Sequence, residues 1–189
     1  MPLLEIRQLS PAISMGLWHI TEEADSPRQK ERQAVQNLLI AMTNNPRLTI
    51  GHESSGKPFL VDSQQDMLSS ERRDISISHT RGYAVILLSS AGRVGIDVEW
   101  RSDRVERIAH RFLRPDEQAA TTDEKLLIWS AKETLYKLFS EDNLLFNDMR
   151  TLTIGERTLH IENMKRRVTV DVGYEFTADY VLTYAELPA

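Results

Sequence analysis

The sequence predicts an α+β fold from three observations. Period-two alternation marks strands in both halves of the chain, helical periodicity lies between them, and several strands follow one another through short turns. Leu3 to Leu9 and Ile13 to Ile20 alternate as strands, and Ser26-Pro27 then supplies a cap residue with proline at the first helical position. That helix runs to about Met42 and stops before Asn44-Asn45-Pro46. Gly51 to Arg73 is loop-rich and reads as an exposed substrate-binding segment. Strands follow around Ile75 to Ser78, Tyr83 to Ser89 and Val94 to Glu99, with turns at Arg81-Gly82 and Ala91-Gly92. The middle strand is apolar on both faces and so is expected to be buried. A helix from Ser102 or Asp103 to Leu113 and a second helix around Trp129 to Leu138 come next. Arg150 to Ile154, Leu159 to Glu162, Val168 to Val172 and Asp179 to Tyr184 then form an antiparallel set. The second half, helices then strands, roughly mirrors the first, with the boundary near the Asp97 strand.

Composition bounds the function classes. The chain has 189 residues, 41% of them hydrophobic, enough for one compact core or two small abutting ones. It has no cysteine, which removes disulfide and thiolate chemistry and leaves His and carboxylates as metal ligands. No basic and apolar leader opens the sequence and no apolar run approaches the roughly 18 residues of a membrane span, so the expectation is a cytoplasmic protein without membrane attachment. A formal net charge of −5 argues against nucleic acid as partner and makes any anion-binding surface local.

The chemistry-bearing residues concentrate in two blocks. In Gly95-Ile96-Asp97-Val98-Glu99, alternate side chains share a strand face, which puts Asp97 and Glu99 together about 7 Å apart at the backbone, with Ile96 and Val98 toward the core. Two carboxylates at that reach can share one Mg²⁺, which leaves its other positions to water and substrate phosphates. In Trp129-Ser130-Ala131-Lys132-Glu133-Thr134-Leu135-Tyr136-Lys137, the residues Leu127, Ala131, Thr134, Leu135 and Leu138 make a core stripe. Trp129, Lys132, Glu133, Tyr136 and Lys137 fall on another side. Singly, each block has a plain alternative: a solvated D-x-E face, and a Glu133 to Lys137 surface ion pair worth roughly 0.3–0.5 kcal/mol.

Together the two blocks resemble the 4′-phosphopantetheinyl transferase superfamily, whose signature is a G-[IV]-D-x-E strand followed by a [FW]-[SCT]-x-K-E-x-x-x-K helix. Gly56-Lys57-Pro58, Ile75-Ser76-Ile77-Ser78-His79-Thr80 and Arg111-Phe112-Leu113-Arg114-Pro115-Asp116-Glu117 agree in order and spacing with its longer, monomeric branch, which serves peptide and polyketide synthetases. The resemblance covers residues 56 to 140 well and the flanks loosely. It implies the 4′-phosphopantetheinyl transferase fold: two similar α+β halves related by a pseudo-twofold, here residues 1–96 and 97–189, with antiparallel sheets packed by helices and the active site between the halves.

The implied activity transfers the phosphopantetheine arm of coenzyme A to a serine of an apo acyl or peptidyl carrier protein and releases adenosine 3′,5′-bisphosphate. Asp97, Glu99 and Glu133 are the implied Mg²⁺ ligands. Catalysis falls to Glu133, Lys132 and His79, with Glu133 or a water beside it as the base. Lys57, Pro58, Ser78, His79, Lys132 and Lys137 are the implied contacts to coenzyme A, the substrate. Glu117 matches a family glutamate whose role stays open, its alternative being a carboxylate facing a helix dipole. One departure stands out. Gln36 occupies the place of an arginine that in the family grips the nucleotide end of coenzyme A, which leaves Arg28, Lys30 or Arg32 to compensate. Two other readings stay open: a nuclease-like enzyme, though Arg101 stands where such sites normally carry lysine, and a non-catalytic module that binds coenzyme A or the carrier.

Overall fold

A computed structural model describes residues 2–62 and 73–188 of the protein. The architecture is α+β, and the chain divides into two compact units, one running to Val94 and the other comprising Gly95–Leu187.

In the first unit, β1 (Leu3–Ser10), β2 (Ile13–His19), β5 (Asp74–Thr80) and β6 (Tyr83–Ser89) form an antiparallel sheet in the order β1-β2-β6-β5. β6 is buried from Ala84 to Ser89, as its two apolar faces require. The helix α1 (Pro27–Thr43) packs on β2 and β6 through Ala34, Val35, Leu38 and Leu39. Its ends are fixed locally: the Ser26 hydroxyl accepts from Gln29 N, and Asn44, at φ 49°, turns the chain with its N–H on the Ile40 carbonyl.

The segment expected to be loop-rich contains a hairpin of β3 (Leu48–His52) and β4 (Pro58–Asp62). Its pattern is faint because Phe59 and Val61 are left 42% and 38% exposed on one face, so the strand lacks a polar side to contrast with an apolar one. The rest of the expected exposed segment, residues 63–72, lies outside the described residues.

The second unit carries a sheet in the order β7-β11-β10-β9-β8, from β7 (Gly92–Trp100), β8 (Met149–Ile154), β9 (Thr158–Asn163), β10 (Val168–Phe176) and β11 (Tyr180–Pro188). The pairs β8–β9, β9–β10 and β10–β11 are antiparallel. The helices α2 (Arg104–Phe112) and α3 (Thr122–Leu138) pack together, and α3 also lies on β8, β9 and β10. One core joins Phe112, Leu127, Ile128, Leu135 and Leu138 to Leu159, Ile161, Val172 and Val181. α3 starts sharply because Thr121 and Glu124 form a reciprocal capping box, with Thr121 Oγ1 accepting from Glu124 N at 3.1 Å and Glu124 Oε2 from Thr121 N at 2.9 Å.

Candidate active site

The geometry begins at a glycine. Gly95 lies two residues before Asp97 and four before Glu99, so the three share one face of β7, with Ile96 and Val98 buried on the other. A Cβ at Gly95 would run into the Thr134 carbonyl oxygen and sit 3.1 Å from Leu138 Cβ, so only glycine lets α3 lie this close to the strand. The close approach puts Ser130, Glu133 and Lys137 beside the carboxylates. Ser130 Oγ donates to Asp97 Oδ2 at 2.9 Å, while Lys137 Nζ donates to Asp97 Oδ1 at 2.8 Å and to the Ile96 carbonyl at 2.9 Å. Asp97 is therefore only 4% exposed, with both carboxylate oxygens engaged. Glu99 Oε1 accepts from Trp129 Nε1 at 2.7 Å, and that indole packs edge-on against Phe112 and tilted against Phe146.

The Asp97 charge acts on both neighbouring glutamates. Burial, then the Asp97 charge, then Glu133 raise Glu99 from its usual 4.5 to about 7 against the pull of Trp129 and Lys137. Burial and the Asp97 charge likewise raise Glu133, and Lys137 opposes them. Among the described residues no three His, Asp or Glu side chains form a ready metal-ligand set. The donor chemistry nevertheless fits a divalent cation, because two half-buried glutamates that the Asp97 charge pushes toward protonation gain from an added positive charge and offer it hard oxygen donors.

The expected polar face of α3 divides in two. Glu133 and Lys137 turn toward β7, but Lys132 does not join them. Its side chain is wholly buried, and its ammonium donates to Glu117 Oε2 at 2.6 Å and to the Phe112 carbonyl at 2.7 Å. Burial pushes this amine down, and the hydrogen bond and charge of Glu117 push it back up. Glu117, 1% exposed in its side chain, also accepts from Thr151 N at 2.6 Å and Arg114 N at 2.8 Å. The expectation was that Lys132 faces a diphosphate; the structure places its ammonium on Glu117 instead of beside Asp97, Glu99 and Glu133. The lysine clamps α3 to the end of α2 and to β8, and the role left open for Glu117 is to receive it.

In the first unit, Lys57 Nζ lies 2.9 Å from Asp74 Oδ1, and Asp74 Oδ2 accepts from Val94 N at 2.9 Å. Pro58 opens β4 opposite His52. Ser78 and His79 are neighbours on β5 and so face opposite ways: Ser78 is buried at 8% exposure, while the His79 side chain is 46% exposed with Nδ1 3.5 Å from Glu31 Oε2. Gln36 donates to the Leu48 carbonyl at 2.7 Å and so ties α1 to β3, while Arg28 and Arg32 lie exposed on α1.

Two residues near Asp97 were missed as site components from sequence. Thr183 on β11 and Thr134 on α3 are fully buried and hydrogen-bonded to each other, and Thr183 also reaches Ser130. The available signal was a threonine between the apolar Val181-Leu182 and Tyr184-Ala185 of β11, whose short hydroxyl a buried strand tolerates only where it finds a partner.

No curated protein matches the chain. A family model does match it, over the residues that run from β7 through α2 and α3 to β11 and that contain Asp97, Glu99 and Glu133. Residues 93–185 match the 4′-phosphopantetheinyl transferase superfamily.

Proposed function

We propose that the protein transfers the 4′-phosphopantetheine arm of coenzyme A to a serine of an apo acyl or peptidyl carrier protein, in a Mg²⁺-dependent reaction, as a cytoplasmic monomer. The superfamily domain supports phosphopantetheinyl transfer in general. The observation that carries the finer reading is the cluster of Asp97, Glu99 and Glu133 beside Lys137, in which the Asp97 charge raises both glutamates.

These carboxylates would hold Mg²⁺, which when bound neutralises the charge that builds on the diphosphate as the nucleotide departs. The serine oxygen bonds to the phosphorus next to pantetheine. The bond from that phosphorus to the bridging oxygen breaks, and adenosine 3′,5′-bisphosphate leaves with the electron pair. Glu133 takes the serine proton, a task suited to a carboxylate raised above its usual range. Lys137, its side chain 26% exposed, offers a cation to phosphate oxygens. Lys57, Pro58, Ser78 and His79 are assigned to coenzyme A on their motifs alone, and Lys57 would have to exchange Asp74 for a phosphate.

Incubating candidate apo carrier proteins with the protein, coenzyme A and Mg²⁺, then measuring their intact masses, tests the assignment. A serine that gains the phosphopantetheine arm is the expected result. Failure on every carrier protein of the source organism, with normal coenzyme A binding, would leave a binding module instead.

A further inference from the structure

The stretch Val181-Leu182-Thr183-Tyr184-Ala185 of β11 contains one hydroxyl side chain buried to 0% exposure. An apolar residue would fill that space as well, so the hydroxyl calls for a use. Thr183 Oγ1 lies 2.6 Å from Thr134 Oγ1 and 2.9 Å from Ser130 Oγ, and it also donates to the Ser130 carbonyl at 3.0 Å. Ser130 Oγ in turn donates to Asp97 Oδ2 at 2.9 Å.

Each hydroxyl has a single hydrogen. Ser130 directs its hydrogen to the carboxylate, so its oxygen can only accept, and Thr183 is the neighbour that donates to it, sharing its hydrogen with the Ser130 carbonyl. Thr134 is then the donor to Thr183, at the hydroxyl or at the Thr183 carbonyl, 3.2 Å away. With Thr134 donating to the Thr183 hydroxyl, donation runs Thr134, Thr183, Ser130, Asp97, and Lys137, also on α3, grips the other carboxylate oxygen. A chain of hydrogen bonds in one direction polarises and stiffens each link. Asp97 consequently has its carboxylate plane set by residues on β11 and α3 as well as by its own strand.

We propose that Thr183 and Thr134 are positioning residues, which act through Ser130 to hold the Asp97 carboxylate in the orientation that divalent-cation binding requires. The inference rests on the reading of Asp97 as a metal ligand. Groups that orient ligating carboxylates from behind typically change metal affinity by about 10–100-fold when removed.

The test is Mn²⁺ binding to the full chain without coenzyme A or carrier protein, read from the electron paramagnetic resonance of free Mn²⁺, with thermal melting as a control on folding. Ser130→Ala, Thr183→Val and Thr134→Val are expected to weaken Mn²⁺ in that decreasing order, with about a tenfold loss at Thr183→Val, while Thr183→Ser keeps wild-type affinity. Packing alone would lower melting temperatures without grading the affinity of the folded protein. Wild-type affinity in folded Thr183→Val, or in folded Thr134→Val should the former not fold, would overturn the proposal while leaving Asp97 a ligand. A folded wild-type protein that takes up no Mn²⁺ would overturn the metal reading and this proposal with it.

Discussion

Replacing Lys132 by methionine separates two roles that this lysine could have. Methionine keeps the length and apolar stem of the side chain but removes the ammonium, which leaves the Glu117 carboxylate buried without its cation. Glu117 would still accept from Thr151 N and Arg114 N, so it would not be stripped of all partners. Breaking a buried pair from one side costs about 3–5 kcal/mol, because the remaining charge stays desolvated. For a chain of this size, about 2–4 °C of melting temperature accompanies each kcal/mol. The expected fall is thus roughly 6–20 °C by thermal denaturation. The double variant Lys132→Met with Glu117→Gln removes the stranded charge while keeping an oxygen acceptor for the backbone N–H groups, and it should recover much of that loss. In both variants, the fraction folded at low temperature should bind coenzyme A with close to wild-type affinity, as measured by titration calorimetry. A Lys132→Met protein that melts like wild type but loses coenzyme A affinity would refute this reasoning and return Lys132 to the phosphates.

Three other perturbations probe the Asp97 site. Glu99 is raised to about 7 from 4.5 and Glu133 is raised too, so the folded state holds protons that the unfolded chain releases. Without metal, stability should therefore decline as pH rises from about 4.5 to 7, and saturating Mg²⁺ should flatten that decline, both checked by melting temperature against pH. Glu133→Gln, which cannot accept a proton, should lower single-turnover rate by about 10²–10⁴-fold with far less effect on coenzyme A affinity; a slack metal site with normal saturated turnover would count against Glu133 as base. Gly95→Ala, whose new methyl meets the Thr134 carbonyl, should cost about 1–3 kcal/mol in urea unfolding and weaken metal binding with it, and an unchanged midpoint would show that α3 can yield there.

Elements whose cause is local were legible in the sequence. The Ser26-Pro27 start and Asn44 stop of α1 are capping chemistry, and the buried β6 follows from apolar residues on both faces. The β3–β4 hairpin was missed because exposed Phe59 and Val61 blur its alternation. The placement of Lys132 was hidden for a different reason. Between Ala131 and Glu133, a lysine reads as a surface cation, and nothing nearby in the sequence reveals that Glu117, fifteen residues earlier, enters the core to meet it. Gln36 is similar, its role being set by a carbonyl twelve residues away.

The two motifs that carry the candidate site are in turn one packing arrangement. Gly95, at the head of the first, touches the backbone of Thr134, in the middle of the second. Two residues beyond Gly95 comes Asp97 on the same strand face. Four residues before Thr134 and three after it come Ser130 and Lys137, one helical turn to either side, and these are the residues that hold the two oxygens of Asp97. The spacing of the acid from the glycine and the spacing of its holders from the helix contact are therefore linked. Either motif shifted by one residue would present the wrong strand face or the wrong helix face, and the carboxylate would lose both of its partners.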